Sequence, residues 1–332
     1  MADKAGEERK GRSLPVRVED VVAGNKPAVA RALASLEREP MPAEVCALLD
    51  ELHQTGRAQV IGLTGPPGVG KSTLSASLIA GWRQRGRSVG VLAVDPSSRK
   101  SGGALLGDRS RMPTDPEDQG IFIRSLAARR RLGGLADLIV PAMTVMRAAY
   151  DIVLIETVGI GQSETDVGDV ADTVVFCVQP GSGDSLQFMK AGIMEIPDIL
   201  VVTKADMGAV ADRAAGDLDS AVALAAAENA WRIPILTLSA TTGTGLDALI
   251  SAISEHEAHL AESGEAERRE RKRLSVWLRQ TIAERCGSLG LAYLEDEIKA
   301  AEAGERPFAA AARLMAEVER RWQTVGKPGE RD

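Results

Sequence analysis

The eight residues GPPGVGKS at 65–72 put a lysine and a hydroxyl directly behind a glycine-rich turn. An apolar strand-like run precedes them and a helical pattern follows, the context that the phosphate-binding pattern G-x-x-x-x-G-K-[S/T] requires. The chemistry is capture of a polyphosphate. Gly65, Pro66, Pro67, Gly68, Val69 and Gly70 form the loop, and its three glycines let the backbone bend so that N–H groups face the β-phosphate. The positive end of the following helix adds to that field. Lys71 is placed for the β- and γ-oxygens, Ser72 for a Mg²⁺ ion, and Thr73 for the α-phosphate.

Two further strings complete a nucleotide site. DIVLIETVG at 151–159 is an apolar strand ending in an acid, with a glycine three residues on. Glu156 is the candidate to hold a Mg²⁺-bound water, and the Gly159 N–H to meet a γ-phosphate. TKAD at 203–206 offers the Asp206 carboxylate to two parallel donors, guanine N1–H and N2–H₂. Adenine presents no such pair. The Lys204 stem would pack on the base, and Ser239, Ala240 and Thr241 would present backbone N–H groups to guanine O6. The expected ligands are therefore GTP and GDP with Mg²⁺.

The hydrolytic apparatus is less complete. Asp95 and Asp108, in a Gly-, Ser- and Arg-rich stretch at 95–112, are candidates for the Mg²⁺ shell alongside Ser72 and Glu156. Either Arg109 or Arg111 is a candidate for the phosphates. Lys71, Glu156, Asp95 and Asp108 make up the expected catalytic set. Ile160 stands where many GTPases carry a water-orienting Gln, and Gln162 lies two residues further on. A second Gly/Ser-rich stretch at 179–190 ends in Lys190. Slow intrinsic hydrolysis, accelerated when a partner orders these loops, is the expectation. His256 and His259 share a helical spacing that can bind metal, but no other ligand type clusters near them. They are read as surface polar residues.

Positioning these groups takes a sheet. Seven short runs read as strands, at 58–63, 88–95, 121–125, 151–156, 173–178, 198–203 and 233–239. Most are continuously apolar, as strands covered on both faces are. Helical stretches at 72–85, 136–149, 209–227 and 246–261 alternate with them. The fold class is α/β, a doubly wound, mostly parallel seven-stranded sheet flanked by helices. Before it, apolar residues from Val18 to about Gln54 recur at helical spacing, interrupted at Pro40 and Pro42. After it comes the mixed-charge stretch GEAERRERKR, read as a solvated helix start, followed by two apolar stripes. One stripe holds Leu274, Trp277, Leu278 and Ile282, the other Phe308, Leu314, Met315, Val318 and Trp322. The expected division is a helical extension at 1–57, a P-loop domain at 58–262 and a helical arm at 263–332 that pairs two copies.

Composition narrows the partners. The 332 residues carry 40 Lys plus Arg against 47 Asp plus Glu, a net charge of -7. An acidic balance disfavours nucleic acid and anionic membranes. No apolar run is long enough to span a bilayer, and the charged opening MADKAGEERKGR is not followed by a secretory h-region. The three cysteines, Cys46, Cys177 and Cys286, are far apart, which points to reduced thiols and a cytoplasmic protein.

Taken together, TGPPGVGKST, VLAVDPSS, GDRSRM, ETVGIGQSE, TKAD and LSA make the chain similar to the MeaB/ArgK family of P-loop GTPases along nearly all its length. Ile160 replaces the Val usual in that pattern. The resemblance implies a homodimeric GTPase that assists adenosylcobalamin-dependent methylmalonyl-CoA mutase in loading or protecting its cofactor. Metallochaperone GTPases, transport-associated kinases or ATPases of the ArgK type, and membrane-targeting GTPases are the competing classes. The first would want a His- or Cys-rich metal segment, the second adenine recognition, and the third a basic or Met-rich module.

Overall fold

The computed structural model describes residues 16–38, 40–96, 115, 117–128, 136–157, 167–181, 196–225, 231–304 and 306–325. At its centre is a sheet of seven strands, β1 (Gln59–Thr64), β2 (Val89–Pro96), β3 (Ile121–Ala128), β4 (Ile152–Thr157), β5 (Thr173–Val178), β6 (Ile199–Val202) and β7 (Ile235–Thr237). Their order is β3-β2-β4-β1-β5-β6-β7, and every pairing is parallel rather than mostly so. The chain builds the sheet to one side of β1 first and then to the other. The crevice beyond the end of β1 is thus a topological switch point, where open α/β sheets bind ligands.

Alternate residues of each strand serve two different cores. Ile61, Leu63, Val91, Leu154, Val175 and Val201 face α4 (Lys71–Gln84) and α7 (Leu246–Glu262). The opposite face, with Val60, Leu92, Val153 and Val174, is covered by α5 (Ala136–Ala149) and by both ends of the chain. These ends are α1 (Val18–Val22), α2 (Lys26–Ser35), α3 (Ala43–Thr55), α8 (Glu265–Tyr293), α9 (Glu295–Glu302) and α10 (Pro307–Val325). A third, smaller core packs α6 (Ala209–Ala225) on β5 and β6 through Phe176, Val178, Leu200 and Leu218.

The N-terminal helical region has one more break than the prolines predict. Gly24, at φ 69°, leaves α1, and the Asn25 side chain accepts from the Ala28 N–H to start α2. In both stripes of the C-terminal region Trp277, Leu278, Ile282, Phe308, Leu314 and Val318 are buried within their own chain. Trp277 and Phe308 are buried against each other at 4.7 Å between ring centroids. Asp50 of α3 accepts from the Phe308 and Ala309 N–H groups, both at 3.0 Å, and so caps α10.

The mixed-charge stretch does begin a helix, but one face of it is not solvated. Arg273 of α8, its side chain 1% exposed, donates to Asp172 at 2.5 Å and to Glu270 at 2.8 Å. Glu270 also pairs with Arg147, and Arg269 binds Asp198 at 2.9 Å. Asp172 and Asp198 in turn hold backbone N–H groups at the start of the sheet, those of Val60 and Val174. Burial alone would raise the Asp172 carboxyl, but the charges of Arg273 and Arg147 outweigh it and hold it below the usual Asp value. A folded pKa below the unfolded one gives stability that is present above about pH 4 and is lost as pH falls through the folded value. Asp172→Asn is expected to cost about 3 kcal/mol at neutral pH, the low end for breaking a buried pair because Glu270 still meets Arg273. Urea unfolding across pH 3–7 checks it: the variant loses stability at neutral pH and shows a shallower acid limb.

Candidate nucleotide-binding site

The described site lies where the parallel strands end. At Gly65, with φ 136°, a Cβ would stand 2.3 Å from the Cys177 carbonyl oxygen, so only glycine lets β1 turn against the end of β5. Gly70, at φ 102°, precedes α4 in the left-handed region, and among the described residues nothing beyond the adjacent ones lies within 4 Å of a Cβ built there or at Gly68. The described part of the loop thus leaves room in front of the helix N-terminus, a cradle for an anion. Lys71 is buried and curls back over the loop, its Nζ donating to Gly65 O at 2.6 Å and Pro66 O at 3.0 Å. Thr73 is exposed one residue beyond Ser72.

Glu156 ends β4 between Leu63 of β1 and Ala93 of β2. It is 9% exposed and accepts from Ser72 Oγ at 2.6 Å and from Ser75 Oγ at 2.9 Å. Asp95 lies two residues further along β2 than Ala93. A hydroxyl and a carboxylate in contact, both oxygen donors, suit a small hard cation such as Mg²⁺.

The TKAD string and the Ser239–Thr241 turn come together. Asp206 is exposed and accepts from Ser239 Oγ at 2.7 Å, across 33 residues of sequence. That hydrogen bond keeps the Asp206 carboxyl below the usual Asp value. The turn after β7 is closed by Ser239 N–H on Thr244 O at 3.0 Å, and Ser77 of α4 pins it through Ala240 O at 3.3 Å. Thr241 is exposed in the same turn. This segment is also stitched to the phosphate loop. Thr203 Oγ1 donates to Val69 O at 2.8 Å, and Lys204 Nζ to Gly68 O at 3.3 Å. Lys204 adopts φ 54°, the one positive φ at a non-glycine among the described residues. The strained turn aims its stem across the loop.

Two participants escaped the sequence. Gln179 accepts from Lys204 Nζ at 2.8 Å, and Ser75 meets Glu156 from one helical turn beyond Ser72. For Ser75 a signal existed, since a three-residue spacing puts both hydroxyls on one helix face. Asp108, Arg109, Arg111, Gly159, Ile160, Gln162 and Lys190 lie outside the described residues. One of the two histidines departs from expectation. His256 is buried, its Nδ1 2.9 Å from Thr173 Oγ1 and its Nε2 3.3 Å from Asp198, so it belongs to the network under the sheet rather than to the surface. Burial pushes the Cys177 thiol, behind the loop, up to about 12.

Residues 29–292 match the family model described as Methylmalonyl Co-A mutase-associated GTPase MeaB. The chain belongs to the MeaB family. As a MeaB-family GTPase it binds guanine nucleotide, and the matched span contains every described residue of the site. A Mycobacterium tuberculosis protein named "Probable GTPase" is 39% identical over 269 residues, 79% of this chain and 80% of that one. The Mus musculus protein named "Methylmalonic aciduria type A homolog, mitochondrial" is 37% identical over 240 residues, 70% of this chain and 58% of that one. Among solved structures, one titled LAO/AO transport system kinase superposes with a TM-score of 0.66 at 26% identity, covering 91% of this chain and 96% of that one. No helix among the described residues of this MeaB-family chain is long and apolar enough to cross a membrane.

Proposed function

We propose that the chain is a GTP-hydrolysing chaperone of adenosylcobalamin-dependent methylmalonyl-CoA mutase, gating cofactor loading and protecting the mutase from inactivation. The observation that carries this reading is the family match over 29–292, which names a mutase-associated GTPase. In this reading residues 65–73 wrap the phosphates, Lys204 and Asp206 select guanine with the 239–241 turn, and Gly159 meets the γ-phosphate. Ser72, Glu156, Asp95 and Asp108 surround Mg²⁺, which would supply charge neutralisation to the phosphates. Asp206 also favours guanine over the adenine that a transport kinase would need.

The proposed division into an extension at 1–57, a GTPase domain at 58–262 and an arm at 263–332 stands in this reading, with the arm pairing two copies. Because Trp277 is buried within its own chain, the pairing surface would lie on the outer half of α8. There, past the break at Gly287, Leu289 is 85% exposed and Tyr293 63%.

Ile160 cannot hydrogen-bond a water, so the isolated protein is expected to hydrolyse GTP at about 10⁻⁴–10⁻² s⁻¹. A partner that engages the 95–112 or 179–190 stretch is expected to raise this by at least ~10-fold, and by up to ~10³–10⁵-fold if a cation is supplied. Single-turnover hydrolysis with and without methylmalonyl-CoA mutase tests it. A fast rate that the mutase leaves unchanged would count against the proposal.

A further inference from the structure

A helix hydroxyl ordinarily bonds the carbonyl one turn back. Among the described residues Thr144 does so to Val140 O at 2.9 Å, Ser220 to Gly216 O at 2.9 Å and Ser254 to Ile250 O at 3.2 Å, while Ser35 and Thr55 bond the carbonyls three residues back. Ser75 instead donates across to β4, to Glu156 Oε2 at 2.9 Å, and it is 0% exposed. Its neighbours in α4, Leu74 and Leu78, belong to the apolar core. An alanine would suit such a place at least as well, both by burial and by helix propensity. The hydroxyl therefore has an address, and the address is the carboxylate of the nucleotide site.

We propose that Ser75 is a positioning residue for the Mg²⁺-binding carboxylate, one that fixes Glu156 so that Ser72 and the acid meet the cation together. This rests on reading the site as one for a Mg²⁺-nucleotide. A glutamate has one more rotatable bond than an aspartate at the same strand end, so a single hydroxyl leaves its head free to swing. Here the two oxygens are fixed separately, Oε1 by Ser72 and Oε2 by Ser75. A carboxylate oxygen has two lone pairs, so one that accepts from a serine can also accept from a metal-bound water, and Ser72 keeps its own lone pairs while its proton rests on Glu156. Removing Ser75 leaves Oε2 one donor short and lets the head group turn away.

The test uses the full chain and release of fluorescent GDP at graded free Mg²⁺ and in EDTA. Loss of a residue that orients a metal-binding group costs about 10–100-fold in metal affinity. Ser75→Ala is expected to raise the Mg²⁺ concentration for half-maximal GDP retention by about 10-fold, while leaving release in EDTA essentially unchanged. Ser75→Thr, which restores the hydroxyl, should recover most of the difference. In a Glu156→Gln background the Ser75→Ala effect should vanish, because the two act as one unit. An unchanged Mg²⁺ midpoint, or an equal acceleration of release in Mg²⁺ and EDTA, would overturn the proposal and leave Ser75 a packing residue. If the unmutated protein releases GDP equally fast with and without Mg²⁺, the metal reading of the site falls and this inference falls with it.

Discussion

Lys71→Ala is expected to remove measurable GTP hydrolysis and to weaken GTP binding more than GDP binding. The ammonium is the one cation among the described residues of the phosphate loop, and it sits buried over that loop. In phosphoryl transfer the protein contributes positioning and charge stabilisation, so a preorganised charge at the β- and γ-oxygens cannot be replaced by water. Losing one neutral donor from such a site typically costs about 10²–10³-fold, and a charged one should cost at least ~10³-fold. The structure adds a second effect. Lys71 bridges Gly65 and Pro66 carbonyls, so the variant also loses a tie across the turn that shapes the cradle. Lys71→Arg should not rescue, because a planar fork cannot substitute for a compact charge in that turn. Single-turnover hydrolysis, with nucleotide affinities from fluorescent analogues, decides it. Activity within tenfold of the unmutated protein would remove Lys71 from the catalytic set.

The second large effect is a change of base. Asp206→Asn should weaken GDP and GTP binding by about 2–4 kcal/mol, the loss of a two-point charged hydrogen bond. That is roughly a 30- to 1,000-fold rise in Kd. The same substitution should improve xanthosine nucleotides, whose 2-oxo group accepts from an amide. Ser239 makes this exchange favourable: it already donates to Asp206 Oδ1, and an amide oxygen in that position keeps the contact while turning the NH₂ towards the base. Competition binding with GDP, XDP and ADP measures all three. Equal affinity of the unmutated protein for ATP and GTP would defeat the guanine assignment, whatever the variant does.

Much of the molecule was legible because its signals are local. β1, β4 and β5 are buried along their whole length, and the apolar runs of Ile61, Leu154 and Val175 show it without knowledge of their neighbours. TKAD and GPPGVGKS are short strings recognisable from their own spacing, and TKAD lies beside the turn that holds Ser239. Strand order was not legible, since near-uniform apolar strands carry no label that pairs β1 with β4 rather than with β2. Nor was the pairing of Asp172 with Arg273, 101 residues away, because a lone charge in a mixed-charge run looks solvated until a partner is placed beside it. His256 was misplaced for the same reason. It is polar by type but sits in a core built by Thr173 and Asp198. Ser75 reads as one more polar helix position until β4 is set against α4.

The cap that Asp50 places on α10 spans 258 residues of sequence. At ribosomal speeds of about 5–20 residues per second, some 13–50 s pass between synthesis of the acid and arrival of the N–H groups it binds. During that interval α3 lacks one of the helices that packs on it, and the apolar side that will receive Phe308 has no cover from α10. The nascent chain must therefore be kept from aggregating through most of its own translation. A chain stopped before residue 308 would leave Asp50 of α3 without the N–H groups it binds.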